Sequence, residues 1–106
     1  MKQACLVYVT YPSKKHAQQI IEVLLKEKII ACATLFPVQS SYVWKESIVH
    51  DDEYVSIIKT TEEQWNTVQK RITELHTYDV PCIIKIHGTP NTPYLRWLYN
   101  ETHSNA

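Results

Sequence analysis

Three cysteines and five histidines, together with eleven acidic residues, are the side chains of this chain best suited to metal or nucleophilic chemistry. Cys5, Cys32 and Cys82 are widely separated and form no Cys-x-x-Cys pair. An odd count at such spacing argues against a disulfide framework or a structural zinc site. Each lies in an apolar, strand-like run, where a thiol behaves as a small hydrophobe. His16, His87 and His103 fall in polar loops or termini without ligand spacing. The run His50-Asp51-Asp52-Glu53 puts four donors side by side, but it reads as a solvated strand end rather than a cage. No nucleophile elbow, phosphate loop, His-Glu-x-x-His or Cys-His pair occurs, so the sequence offers no residues on which to rest catalysis.

These side chains are carried by a long central hairpin. From Cys32 to Thr60, two runs rich in Val, Ile, Tyr, Trp and Thr flank the polar break Lys45-Glu46-Ser47. Both arms exceed the usual strand of about 5–6 residues. Pro37 lies inside the first arm, which predicts a bulge or an edge position. Tyr42, Val43, Trp44, Ile48 and Val49 crowd the tip, where exposed edges are normally blunted by charge. An apolar tip of this kind is expected to be covered by another chain.

On either side of the hairpin the pattern repeats. Ala4–Thr10 is a β-branched run ended by Tyr11-Pro12, and Ser13 offers a helix cap. Ala17, Ile20, Ile21, Leu24 and Leu25 then recur at helical spacing, predicting a helix to about Lys28. After the hairpin, Thr60 with Glu63, or Thr61 with Gln64, fits a capping box. Trp65, Val68, Ile72 and Leu75 mark one face of a second helix reaching about His76. Val80–Ile86 is predicted as a last strand, with Pro81 at its start and Gly88 in a loop. Asn91-Thr92-Pro93 caps a short final helix carrying Tyr94, Trp97 and Leu98 on one face. Two strand-helix-strand units joined by a hairpin predict an α+β, ferredoxin-like split βαβ sandwich. Its four-stranded antiparallel sheet would have both main helices on one face, in a single domain over residues 1–106.

Lys plus Arg and Asp plus Glu each number 11, leaving no basic excess for nucleic acid or an anionic membrane. No run approaches about 18 apolar residues and no signal-peptide h-region is present, so a soluble, cytoplasmic protein without membrane insertion is expected.

The string Ala31-Cys32-Ala33-Thr34-Leu35-Phe36-Pro37, then Ser41-Tyr42-Val43-Trp44, resembles the CutA family of divalent-cation tolerance proteins. So do Glu53 through Ile58-Lys59-Thr60-Thr61, His76-Thr77-Tyr78-Asp79-Val80-Pro81 and Tyr94-Leu95-Arg96-Trp97-Leu98. Val9-Thr10-Tyr11-Pro12 matches the family's first strand-to-helix junction, and the motifs run in order over nearly the whole chain. The resemblance implies a homotrimer assembled by strand pairing between subunits, which closes a ring and uses up exposed edges. It also implies a non-enzymatic role in divalent-cation tolerance, the response to metal ions, with weak binding of Cu²⁺ or another divalent cation and no obligatory cofactor.

By the same resemblance, Glu53 and His76 occupy the positions that supply carboxylate and imidazole in metal-binding relatives, a donor pair suited to Cu²⁺ or Zn²⁺. Asp51, Asp52 and Cys82 are additional candidate ligands. A helix-ending His76 also complements the helix dipole without any metal. Four positions depart from the family. Val9 stands where copper-binding members have cysteine, and Cys5 is more than ~13 Å away along the strand. Trp44-Lys45-Glu46 replaces Trp-Glu-Gly, predicting a wider hairpin tip. Cys82 replaces an acidic residue and Thr77 a proline. Finally, Lys59, Tyr78, Trp44 and Trp97 are candidates to line a cleft between subunits of the trimer. Occupied by an organic anion near Lys59, that cleft would make the protein a trimeric small-molecule sensor or signalling module instead.

Overall fold

A computed structural model describes residues 3–102. Strand β1, Ala4–Tyr11, alternates inward and outward residues, and Cys5, Val7, Val9 and Tyr11 are fully buried. Helix α1, Lys14–Lys26, starts where the Ser13 hydroxyl accepts the His16 N–H at 3.1 Å. It ends two residues before the expected Lys28, because Lys28 turns into the left-handed region at φ 61°. There Ile29 N–H donates to Leu24 O and Lys28 N–H to Leu25 O, the paired bonds of a Schellman cap made without glycine.

The hairpin is as long as its sequence implies. Strand β2, Cys32–Trp44, pairs antiparallel with β3, Ser47–Thr61, in one unbroken register from Cys32–Lys59 to Trp44–Ser47. Pro37 sits on an edge strand without shifting that register, since the order is β2-β3-β1-β4. The wider tip expected from the missing glycine is not formed. Lys45 and Glu46 alone make the turn, at φ 50° and 69°, the handedness a two-residue hairpin turn requires.

A single 3₁₀ turn, Glu62–Gln64, leads into helix α2, Trp65–Leu75. The capping box is not made: the Thr60 hydroxyl donates to Ile29 O at 2.7 Å, and Gln64 Nε2 donates to Thr102 O at 3.1 Å. Tertiary partners outcompete the local cap. Strand β4 runs Ile83–Gly88, so Val80, Pro81 and Cys82 belong to the preceding loop and Gly88 ends the strand opposite Ala4. Helix α3 covers Thr92–Thr102.

Both main helices cover one face of the sheet. The odd-numbered residues of β1 meet Ala17, Ile20 and Leu24 of α1, and Val68 and Ile72 of α2, in one apolar core. Truncating a core side chain such as Leu24 costs about 2–5 kcal/mol. The opposite face is covered only in part by α3, through the buried Leu98. Phe36, Ile84 and Ile86 remain exposed there. The hairpin gives the subunit its length, 46 × 24 × 21 Å along its principal axes. Near its tip, Val43 is 70 % and Ile48 72 % exposed.

Candidate functional site

Where the hairpin leaves the body of the sheet, a cleft of about 580 Å³ opens between β2–β3 and the loop after α2. Glu53 and Tyr78 form its centre. Glu53 is 8 % exposed, and Tyr78 donates its hydroxyl to Glu53 Oε2 at 2.5 Å. Trp44 and Tyr42 come from the hairpin arm, Thr10 from the end of β1, and Asp79 and Cys82 from the loop. The Tyr42 hydroxyl donates to Asp51 Oδ2 beside it.

The loop is held by His76, which follows the last turn of α2 and keeps its N–H on Ile72 O at 2.8 Å. Its Nδ1 accepts the Tyr78 N–H at 3.1 Å. Its Nε2 lies 2.8 Å from Thr10 O, a carbonyl that can only accept, so Nε2 carries the proton. The ring stacks on Tyr11 at 5.5 Å and meets His16 edge-on at 5.0 Å. Burial, with the neighbouring His16 ring, pushes the His76 pKa below its usual value against the pull of Thr10 O and Glu53. His76 is therefore a neutral imidazole with both nitrogens engaged.

The thiol and the two phenols of the cleft are held in their protonated forms. Burial and then the Glu53 carboxylate raise the Tyr78 hydroxyl. The same two causes raise the Cys82 thiol, with the Thr10 hydroxyl opposing. The hydrogen bond to Asp51 raises Tyr42.

The candidate ligands Glu53 and His76 are thus joined through Tyr78, one by its hydroxyl and the other by its N–H. Such an arrangement does not fit a preformed divalent-cation centre, because neither imidazole nitrogen is free. Asp52 pairs with Gln39 on the hairpin arm, whereas Asp51 bonds Tyr42 and Cys82 lines the cleft. Among the described residues, no three His, Cys, Asp or Glu side chains converge as a metal cage. Val9 is fully buried in the apolar core.

Within one subunit the second candidate group divides in two. Trp44 and Tyr78 line the cleft with Glu53. Lys59 lines a smaller cleft of about 260 Å³ at the other end of β3, with its ammonium 5.8 Å from the Tyr94 ring. Trp97 packs at 5.4 Å against Tyr94. Glu53 and Lys59 are six residues apart on one strand, a separation of ~20 Å. Sequence reasoning missed Asp79 and Thr10 as lining residues, and missed the Tyr11–His16–His76 ring cluster. Asp79, adjacent to Tyr78 in the His76–Pro81 motif, was the readable signal; Thr10 and Tyr11 meet His76 only in space.

The fold and the cleft define a class: an α+β, ferredoxin-like protein with an extended central hairpin and a carboxylate-and-aromatic cleft at its base. The family described as CutA1 divalent ion tolerance protein matches residues 5–101, and the chain belongs to it. It is 44 % identical over 98 residues to the divalent-cation tolerance protein CutA of Pyrococcus horikoshii, covering 92 % of this chain and 96 % of that one. The crystal structure of CutA1 from that organism superposes with a TM-score of 0.90 at 43 % identity, covering 92 % of this chain and 97 % of that one. The structure described as the periplasmic divalent cation tolerance protein CutA from Archaeoglobus fulgidus superposes with a TM-score of 0.91 at 30 % identity, covering 93 % and 98 %. Among the described residues, no helix is long and apolar enough to cross a membrane.

Proposed function

We propose that this chain works as a non-enzymatic homotrimer in the cellular response to divalent metal ions, in the cytoplasm. The observation that carries the assembly is the apolar hairpin tip combined with the half-covered second sheet face. Val43, Ile48, Phe36, Ile84 and Ile86 are exposed apolar side chains, the kind of surface that a partner chain covers. Head-to-tail contacts among three copies would cover it and pair the free edges of β2 and β4. The relatives are named for ion tolerance rather than for a reaction, which supports a non-enzymatic role. Three free thiols suit a reducing compartment.

Contact with Cu²⁺ or another divalent cation is weak and centres on Glu53. His76 joins it only by giving up the Tyr78 N–H or Thr10 O. Titration of the purified protein with Cu²⁺ tests this, run beside Glu53→Ala and His76→Ala. Weak binding that Glu53→Ala abolishes is the expected result. Identical isotherms for all three proteins would remove the site.

A further inference from the structure

Among the described residues, Glu53 is a buried carboxylate with no counter-charge. It is 8 % exposed, and among the described residues its only hydrogen-bond donor is the Tyr78 hydroxyl and it makes no ion pair. An uncompensated carboxylate in such a place is costly. The surroundings deepen the negative field rather than relieve it. Asp79 lines the same cleft, Asp51 stands beside it under Tyr42, and among the described residues no lysine, arginine or histidine lines the cleft. The walls are aromatic: Trp44, Tyr42 and Tyr78. Trp44 already meets one cation, the Lys45 ammonium 5.9 Å from its ring centre.

Carboxylates set among aromatic faces attract a cation whose charge is spread over an organic body, since the ring faces are electron-rich. A divalent metal asks for three or more converging donors, and among the described residues no such group exists. The volume, about 580 Å³, lies in the usual range of small-molecule sites, roughly 300–1,000 Å³. We infer that the cleft between Glu53 and Trp44 is a binding site for a small organic cation bearing N–H donors, an alkylammonium or guanidinium compound. The ligand's N–H groups reach Glu53, its body lies against Trp44 and Tyr42, and Asp79 takes a second positive group at the mouth. This goes beyond the metal-response reading and does not depend on it.

The probe is agmatine, which carries a guanidinium and a primary ammonium at the two ends of a four-carbon chain. Isothermal titration of the intact protein is run against agmatine and, at equal ionic strength, against the dianion glutarate. Saturable binding of agmatine but not glutarate is expected. Glu53→Gln, which keeps an acceptor for Tyr78, weakens it roughly ten- to a hundredfold, as loss of a charge-assisted hydrogen bond should. Asp79→Asn, at an exposed loop position, and Trp44→Leu weaken it less. The absence of saturable agmatine binding overturns the inference, as do Glu53→Gln and Asp79→Asn isotherms that superimpose on the wild type. Should Cu²⁺ bind while agmatine does not, this inference falls and the metal-response reading stands. Should agmatine bind while Cu²⁺ does not, the reverse holds.

Discussion

Tyr78 gives its hydroxyl to Glu53 at 2.5 Å while its own N–H rests on His76 Nδ1 at 3.1 Å. One residue therefore couples the hairpin, through Glu53, to the end of α2, through His76. Tyr78→Phe deletes the hydroxyl and leaves the N–H bond in place. Glu53 would then be buried without a donor, and the cost expected is about 1–3 kcal/mol. Equilibrium denaturation of Tyr78→Phe, Glu53→Ala and the double variant measures the coupling. Additive losses would show that the bond contributes nothing.

The neutral state of His76 makes stability depend on pH. Its folded-state pKa lies below the ordinary 6.5, so the unfolded chain binds the extra proton first. Stability from this group is complete above about 6.5 and declines as pH falls below that value toward the folded pKa. The groups facing the ring are Tyr11, His16, Tyr78, Thr10 O and Glu53. Denaturation between pH 5 and pH 8 should show this loss, and His76→Asn should flatten it. An equal slope in the variant would assign the dependence to another group.

The turn at the hairpin tip stores backbone strain. Lys45 and Glu46 both have positive φ, which costs a residue with a Cβ roughly 1–2 kcal/mol. Glycine adopts that region freely but loses more entropy on folding. Glu46→Gly is therefore expected to stabilise by about 0.5–1 kcal/mol. A melting temperature below the wild type would mean that Glu46 makes a contact outside one subunit.

Thiol reactivity separates the cysteines. Burial, aided by the Glu62 charge, pushes the Cys5 thiol up to about 11, so it is almost wholly protonated at neutral pH. A thiol-disulfide reagent at pH 7.5 should leave Cys5 untouched until the protein unfolds. Rapid labelling of Cys5 in the folded protein would contradict its position in the core.

Much of this arrangement is legible in the chain. Helical spacing identified Ile20 and Leu24, Val68 and Ile72, because such a pattern records which face is dry, whereas Ala4–Thr10 was readable only as a β-branched run without its inward face. The arms from Cys32 to Thr60 were readable from their β-branched and aromatic content, and β3 runs one residue further, to Thr61. The tip was not: glycine's absence suggested a wider turn, but strand pairing held Lys45 and Glu46 in left-handed backbone. His76 was readable as a helix end. Its engagement of both nitrogens was not, because Thr10 lies 66 residues away in sequence. The separation of Lys59 from Trp44 needed only the strand rise, while the carboxylate character of the cleft needed the loop carrying Asp79 to fold against β3.

Sedimentation equilibrium at low micromolar concentration tests the trimer most directly, with wild type beside Val43→Lys/Ile48→Glu. A wild-type mass three times that of the chain, lowered by the paired tip substitutions, is the expected result. A wild type that sediments as a single chain, with its hairpin tip in water, would contradict it.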